Sequence, residues 1–365
     1  MENNTHSQEA GRLSYRIIGW EDTQAVAAME EFVRHHENSH FLQLPRWAKV
    51  KNAWKWQGIL IHRAGEIVGA MSVLLRPLPL GMHIFYAPRG PVCDRQDPAA
   101  LSFLCLGAEE LAYRERGLLL MLDPDEPADS PFRRYMEAKG FAEEKSNGFD
   151  NIQAQHVMRL PLIGQTPETL LEALPASTRY KIRLAGRKGV QIRRYSGSVP
   201  DRELDAFAAL MEQTGKRDRF IPRQKEYFRC LLRELGQEAV LYLAYLNGEP
   251  IAGTIGVFSG RKGWYLYGAS ANTHRDAMPN YALQWEMICQ AIRSRCSFYD
   301  MRGIPGQIRE EDPLYGLYRF KKGFGAEPCH FSGLLIHGYR PLLASLFRKG
   351  MKLYRKVRYI KKVER

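Results

Sequence analysis

The densest run of reactive side chains occupies residues 299–325. Tyr299, Asp300 and Arg302 open it, Gly303 and Gly306 bracket a loop, and Tyr315, Tyr318, Arg319, Phe320, Lys321 and Lys322 close it. Cations of this kind can hold phosphate oxygens, or stabilise charge that develops on a carbonyl under attack. The order reads as a strand, an exposed glycine-bearing loop and a short aromatic helix with two lysines. A plainer echo lies at 120–141, where a hydrophobic strand meets the acidic, proline-bearing loop 123–129. A helix there closes on Lys139, Gly140 and Phe141, as the later one closes on Lys322, Gly323 and Phe324. Only the second copy carries the additional Arg, Tyr and Lys residues, which suggests that the chemistry resides there.

Several chemistries have no motif in this chain. There is no G-x-x-x-x-G-K-[ST], G-x-G-x-x-G, H-E-x-x-H or G-x-S-x-G. The six cysteines, Cys93, Cys105, Cys230, Cys289, Cys296 and Cys329, are scattered without paired ligand spacing. They read as reduced, mostly buried thiols, and no metal site is expected. No general base stands out: Asp123, Asp125, Glu310, Glu311 and Asp312 read as loop carboxylates, and His274 has no partner in the sequence pattern.

The elements that would position these groups follow from length and periodicity. A chain of 365 residues accommodates about two ordinary domains, with enough apolar content for both cores. Residues 56–75 read as strand, Gly-Glu turn, strand; residues 240–258 repeat this around Asn247 and Gly248, a strong hairpin signal. An aromatic strand follows each hairpin, at 83–89 and 263–270, and then a helix, at 98–116 and 281–294. Helices are expected ahead of the hairpins, at 23–36 and 46–54 in the first half and at 202–215 and 224–235 in the second. Helices, an antiparallel hairpin and then β-α-β is the order of the acyl-CoA N-acyltransferase-like (GNAT) fold, here written twice. The expected class is therefore α/β (α+β), with two tandem GNAT-like domains and no coiled-coil arm. The domains are expected at 1–158 and 159–328, the first completed by 329–345, with a basic tail at 346–365.

The charge is uneven. Residues 339–365 hold ten Lys or Arg and one Glu, so this end carries +9 of the chain's +13. Cations and apolar residues alternate there at roughly helical spacing, which suits an anionic membrane surface or a nucleic acid backbone; a solvated basic helix end reads equally well from the residues. The polar N-terminus lacks a signal pattern, and no apolar run approaches the ~20 residues of a membrane helix, so a cytoplasmic protein is expected, at most peripheral at the inner membrane face.

At the position where an acetyltransferase cradles the coenzyme A pyrophosphate, residues 270–282 read Ser-Ala-Asn-Thr-His-Arg-Asp-Ala-Met-Pro-Asn-Tyr-Ala, without a glycine. Backbone amides cannot easily approach a diphosphate there, so coenzyme A is not expected as a cofactor. Residues 41–51, 89–92, 177–183 (Ser-Thr-Arg-Tyr-Lys-Ile-Arg), 263–270 and 299–325 together resemble the FemABX family of aminoacyl-tRNA-dependent peptidoglycan transferases, in its shorter FemX-type form.

The resemblance implies roles for named residues. Lys51 is similar to a family lysine on the phosphates of the acceptor precursor, and Arg223 and Tyr227 match residues that meet its diphosphate. Tyr267 matches a tyrosine at the same precursor site; strand alternation places Tyr265 and Tyr267 on one face. Phe320 and Lys321 match a pair that places the aminoacyl-tRNA acceptor end, where Lys321 could stabilise the carbonyl oxygen or meet tRNA phosphate. Asp300 and Arg302 read as an ion pair or loop brace. The implied activity is transfer of an aminoacyl group from aminoacyl-tRNA to the side-chain amine of a peptidoglycan stem peptide, on UDP-MurNAc-pentapeptide or lipid II. The rival readings are a tRNA-dependent transferase acting on another amine and a non-catalytic protein that binds an anionic polymer.

Overall fold

The computed structural model describes residues 13–144, 152–348 and 350, and resolves two compact units. The first comprises residues 1–48, 52–145 and 331–365; the second comprises 49–51 and 146–330.

In the first unit, β1 (Leu13–Ile18), β2 (Lys55–Arg63), β3 (Glu66–Pro77) and β4 (His83–Ala87) run antiparallel in sequence order. Helix α1 (Thr23–His35) starts where Asp22 accepts from the Ala25 amide, and the short α2 (Pro45–Val50) precedes β2. After β5 (Val92–Cys93), helix α3 (Pro98–Arg114) is capped by Asp97, which accepts from the amides of Ala99 and Ala100. It crosses to β6 (Gly117–Leu122), which lies parallel to β4. Helix α4 (Pro131–Ala138) and β7 (Ala142–Glu144) follow.

The second unit repeats this order. Strand β8 (His156–Pro161), helices α5 (Pro167–Ala173) and α6 (Ala176–Arg187), and β9 (Gln191–Ser196) lead to α7 (Asp201–Asp218) and α8 (Lys225–Leu235). Then come β10 (Ala239–Leu246), β11 (Glu249–Ser259) and β12 (Lys262–Ser270), antiparallel to one another. Asn247 and Gly248, at φ 52° and 84°, adopt the left-handed pair that a two-residue type I′ turn requires. Helix α9 (Pro279–Arg293) crosses to β13 (Phe298–Gly303), parallel to β12, and α10 (Tyr315–Lys322) leads to β14 (Glu327–His330).

One strand of each sheet comes from outside this linear order. β8 lies between β13 and β14, antiparallel to both, and β15 (Leu334–Gly338) lies between β6 and β7 in the first sheet. A boundary at 158/159 would cut β8, which belongs entirely to the second sheet. Residues 351–365 of the basic tail lie outside the described residues. The longest helix among the described residues is α7, at 18 residues, and none is long and apolar enough to cross a membrane.

Each sheet carries its own core. Phe85, Leu104, Leu120 and Phe132 anchor the first, and Leu160, Met287, Tyr299 and Phe324 anchor the second. Burial of such side chains contributes ~1.5–3 kcal/mol each and fixes the strand ends that carry the polar groups below.

Candidate functional site

Four of the six residues singled out for substrate contact gather in the second unit. Strand β12 presents Tyr267 and the first turn of α8 presents Tyr227; the Tyr267 hydroxyl donates to the Tyr227 hydroxyl at 3.0 Å. The Arg223 guanidinium carbon lies 5.1 Å from the Tyr227 ring centre, and the Lys51 ammonium nitrogen 5.3 Å from it. Both distances are those of cation–π contacts, which hold the two cations beside one ring. Lys225 and Arg229 on α8 are occupied by Asp205 and Asp201. Arg223 is exposed and has no carboxylate partner among the described residues. Two cations next to two phenol hydroxyls make a donor set suited to a phosphate or diphosphate.

The titration of the group fits that use. Burial, with the Arg223 charge second, lowers the Lys51 ammonium to about 8. Burial, then the Tyr267 hydroxyl, raises the Tyr227 phenol above the ordinary range, so it remains a neutral donor.

Strand alternation does not hold across β12. Tyr267 pairs with Ile255 and Tyr265 with Gly256, so Leu266 is an extra residue, a β-bulge. The bulge separates the two tyrosines that alternation would place together. Tyr265 packs into the core with Met287 and Tyr299, while Tyr267 packs against Phe228 of α8. The Tyr265 hydroxyl lies where a Cβ on Gly268 would come within 1.7 Å, which explains the glycine after Tyr267.

Phe320 and Lys321 form a second group. Phe320 packs edge-on to Tyr281 of α9, with ring centres 5.0 Å apart, and to Phe324 at 5.4 Å. Lys181 of α6 donates to the Tyr281 hydroxyl at 3.2 Å and lies 4.9 Å from its ring centre. Lys321 is 2% exposed and donates to the carbonyls of Arg302 and Gly303, at 3.1 and 2.6 Å. Burial is the main cause that lowers its ammonium to about 7, Asp300 opposing and Arg302 adding to the shift. This inward placement suits a brace of the β13 end; both expected roles, on the carbonyl oxygen or on tRNA phosphate, need an accessible cation. Lys322 is the exposed member of the pair.

Asp300 and Arg302 do not pair side chain to side chain as an ion pair of their own. Asp300 takes the Arg159 guanidinium at 3.1 Å and the Arg302 backbone amide at 2.7 Å. Arg302 itself sits at φ 64°, a conformation that only surrounding contacts sustain. Asp300→Asn breaks the Arg159 pair and is expected to cost roughly 2–4 kcal/mol, the lower end because Arg159 keeps its stacking over Phe298. Thermal unfolding of the variant checks this.

Three of the remaining loop carboxylates have structural partners. Asp123 accepts from the Tyr86 hydroxyl and the Arg89 amide at 2.6 and 2.8 Å; Asp312 accepts from the Arg309 amide, and Glu310 from the Tyr315 hydroxyl. Arg217 holds the Ser270 carbonyl and Asn272 at the end of β12. The turn from β12 to α9 puts His274 and Met278 at φ 55° without a glycine, and Lys188 binds Asp276 across it at 2.5 Å. Among the described residues no cluster of three or more His, Cys, Asp or Glu is placed to hold a metal ion.

The FemAB family model matches residues 25–250 and 248–349, nearly the whole described chain. The chain belongs to the FemAB family. Its relatives include a lipid II:glycine glycyltransferase of Staphylococcus aureus, 28% identical over 376 aligned positions that cover 81% of this chain and 87% of that protein. The crystal structure of FemX superposes with a TM-score of 0.82 at 25% identity, covering 91% of this chain and 99% of the other. A tandem GNAT protein from the clavulanic acid biosynthesis pathway superposes with a TM-score of 0.53 at 14% identity, covering 90% of this chain and 99% of the other. That likeness shows the fold alone: two GNAT-like units. In this FemAB chain, Lys181 and Tyr281 are the side chains beside Phe320 that sequence reading did not single out. Their signal was the position of Lys181 in the motif at 177–183, which α6 carries against α9.

Proposed function

We propose that this protein transfers an aminoacyl group from aminoacyl-tRNA to the side-chain amine of a peptidoglycan precursor stem peptide. The observation that carries the reading is the group Lys51, Arg223, Tyr227 and Tyr267, a phosphate-sized donor set in a FemAB chain. Lipid II is the acceptor named for the staphylococcal relative and UDP-MurNAc-pentapeptide is the soluble form of the same chemistry; both present a diphosphate and an amine-bearing peptide. The relative's name makes glycine the first aminoacyl group to try.

In this reading the diphosphate binds Lys51 and Arg223 and the stem peptide extends from them. Its neutral amine attacks the ester carbonyl of the aminoacyl-tRNA. The new C–N bond forms, the C–O bond to the terminal ribose breaks, and the proton lost by nitrogen ends on the ribose hydroxyl. Phe320 and Tyr281 line the acceptor end of the tRNA, and Lys321 holds the β13 end beside them through the Arg302 and Gly303 carbonyls. An ester is already activated, so positioning does most of the work, and no strong protein base is needed. The basic helix α6, with Arg179, Lys181, Arg183 and Arg187 and no carboxylate between 173 and 200, supports a polynucleotide donor. Coenzyme A has no part in the reaction, and the glycine-free turn at 270–282 supports this. A location at the cytoplasmic side follows from the use of charged tRNA.

The test is transfer of labelled glycine from charged tRNA to the precursor. Label should reach the precursor, ribonuclease should abolish the transfer, and acetyl-CoA should neither donate nor raise the melting temperature. Transfer that survives ribonuclease would overturn the reading.

A pH dependence follows from Lys51. Its free-site value of about 8 lies below the ordinary 10.5, and a bound diphosphate would raise it again. Binding above pH 8 therefore takes up a proton, so affinity for the acceptor should weaken with rising pH, by up to about tenfold per unit. Below pH 7 Lys51 is already charged and its contribution is flat. Titration calorimetry with the UDP-linked precursor should show this slope, and Lys51→Ala should lack it.

A further inference from the structure

Residues 341–348 form a helix whose inner side is accounted for and whose outer side is not. On the inner side Ala344 is buried and Phe347 packs against Ile84, Leu119, Leu334 and Ile336. Arg348 closes the contact by donating to the Glu144 carboxylate at 2.6 and 3.1 Å. On the outer side Leu342 is 84% exposed, Leu346 66% and Leu343 46%. Their spacing of three and four residues puts them on one face.

A second segment of the first unit meets the same small core. Leu78 packs on it, and the Leu78 amide closes a loop by donating to the Met82 carbonyl at 2.8 Å. Leu80, at the tip of that loop, is 80% exposed and sits at φ 63°, a conformation leucine rarely takes. Single exposed leucines are ordinary. Four of them, on two segments that flank one core cluster, are not.

The charge within these two segments has one sign. The sequence contains no carboxylate between Glu66 and Asp94, nor between Glu327 and Glu364. Arg340 is exposed at the start of the helix, and the Arg116 guanidinium lies beside the loop, 3.7 Å from where a Cβ on Gly81 would be. Beyond residue 348 the sequence continues with eight further Lys or Arg before its end. Exposed leucines ringed by cations are the pattern of a surface that lies in the headgroup region of an anionic bilayer.

We propose that this face of the first unit docks on an anionic lipid surface, with Leu80, Leu342, Leu343 and Leu346 entering the acyl boundary and the cations meeting the headgroups. The inference goes beyond the transfer reaction and stands on separate residues. If the acceptor is lipid-linked, docking brings the protein to the plane that holds it.

The experiment is co-sedimentation of the full chain with phosphatidylglycerol/phosphatidylcholine vesicles and with pure phosphatidylcholine vesicles. The wild type should partition at least about tenfold more strongly to the anionic vesicles, and Leu342→Glu/Leu346→Glu should lose at least about tenfold of that, with its melting temperature kept. In a separate variant, Leu80→Trp, the added fluorescence should shift to shorter wavelength on the anionic vesicles. Equal partition of the wild type to both vesicles, or equal partition of the wild type and the double variant, would overturn the proposal. So would a double variant that turns a dimer into a monomer while its vesicle binding is unchanged, since the leucines would then cover a second copy. None of these readouts requires transfer activity, so this proposal and the transferase reading fail separately.

Discussion

Lys321→Ala is expected to lower kcat for aminoacyl transfer by about 10²-fold, the loss that a shift of about 1 Å near the reacting atoms brings once the brace on the β13 end is gone. The dissociation constant for the UDP-linked precursor should stay within about twofold, because Lys51, Arg223, Tyr227 and Tyr267 are untouched. A structural component accompanies the kinetic one, since the Arg302 and Gly303 carbonyls lose a buried donor. That loss should cost about 1–3 kcal/mol in stability and show as a lower melting temperature. Lys321→Met separates the two parts: it restores the packing of the stem but no charge, so stability should recover further than rate.

Lys321 also has a stability signature. Its folded value of about 7 lies below the ordinary 10.5, so between those two pH values the unfolded chain binds more protons than the folded one. Stability should therefore rise with pH across that window and level off below pH 7, where both states are protonated. Denaturant unfolding from pH 7 to pH 10 should show this rise in the wild type and a flatter profile in Lys321→Met.

Arg223→Ala is expected to raise KM for the precursor by about 10–100-fold, as one charged hydrogen-bonding partner of a phosphate is removed. KM for aminoacyl-tRNA should not change. Arg223 is exposed and has no carboxylate partner among the described residues, so the fold should not suffer. Combining it with Lys51→Ala should give at least the sum of the two losses, because removing Arg223 alone leaves Lys51 easier to charge and so compensates in part. Steady-state kinetics with each substrate varied in turn separates these outcomes.

The duplication was legible because its signals are local. Asn247 and Gly248 dictate a turn, the runs around them are apolar enough to read as strands, and the echo of 299–325 at 120–141 marks equivalent places in two sheets. What local signals do not carry is exchange between distant segments. β8 and β15 are short apolar strands like any other, and only tertiary pairing places them between β13 and β14, and between β6 and β7. β9 escaped notice for another reason: as an edge strand with exposed Arg193 and Arg194, it has no buried face to make its alternation visible.

The candidate site divides in the same way. The family resemblance named Lys51, Arg223, Tyr227 and Tyr267, and the structure brings them together around the Tyr227 ring. Alternation misjudged Tyr265, because one extra residue at Leu266 turns it into the core. The burial of Lys321 was also hidden, since a lysine next to another lysine on a short amphipathic helix reads as solvent-facing. Its orientation depends on the left-handed Arg302, whose carbonyl it holds, and that conformation depends in turn on Asp300 and Arg159. Two neighbouring positions, Asp300 and Arg302, and the distant Arg159 decide where one amine points.

The most direct test of the account is the mass of the precursor after incubation with the protein and a mixture of charged tRNAs. The account predicts a product heavier by one aminoacyl residue, attached to the side-chain amine of the stem peptide and formed only when the tRNA is charged. A precursor of unchanged mass, obtained with folded protein that binds it, would contradict the claim that this chain is an aminoacyl transferase.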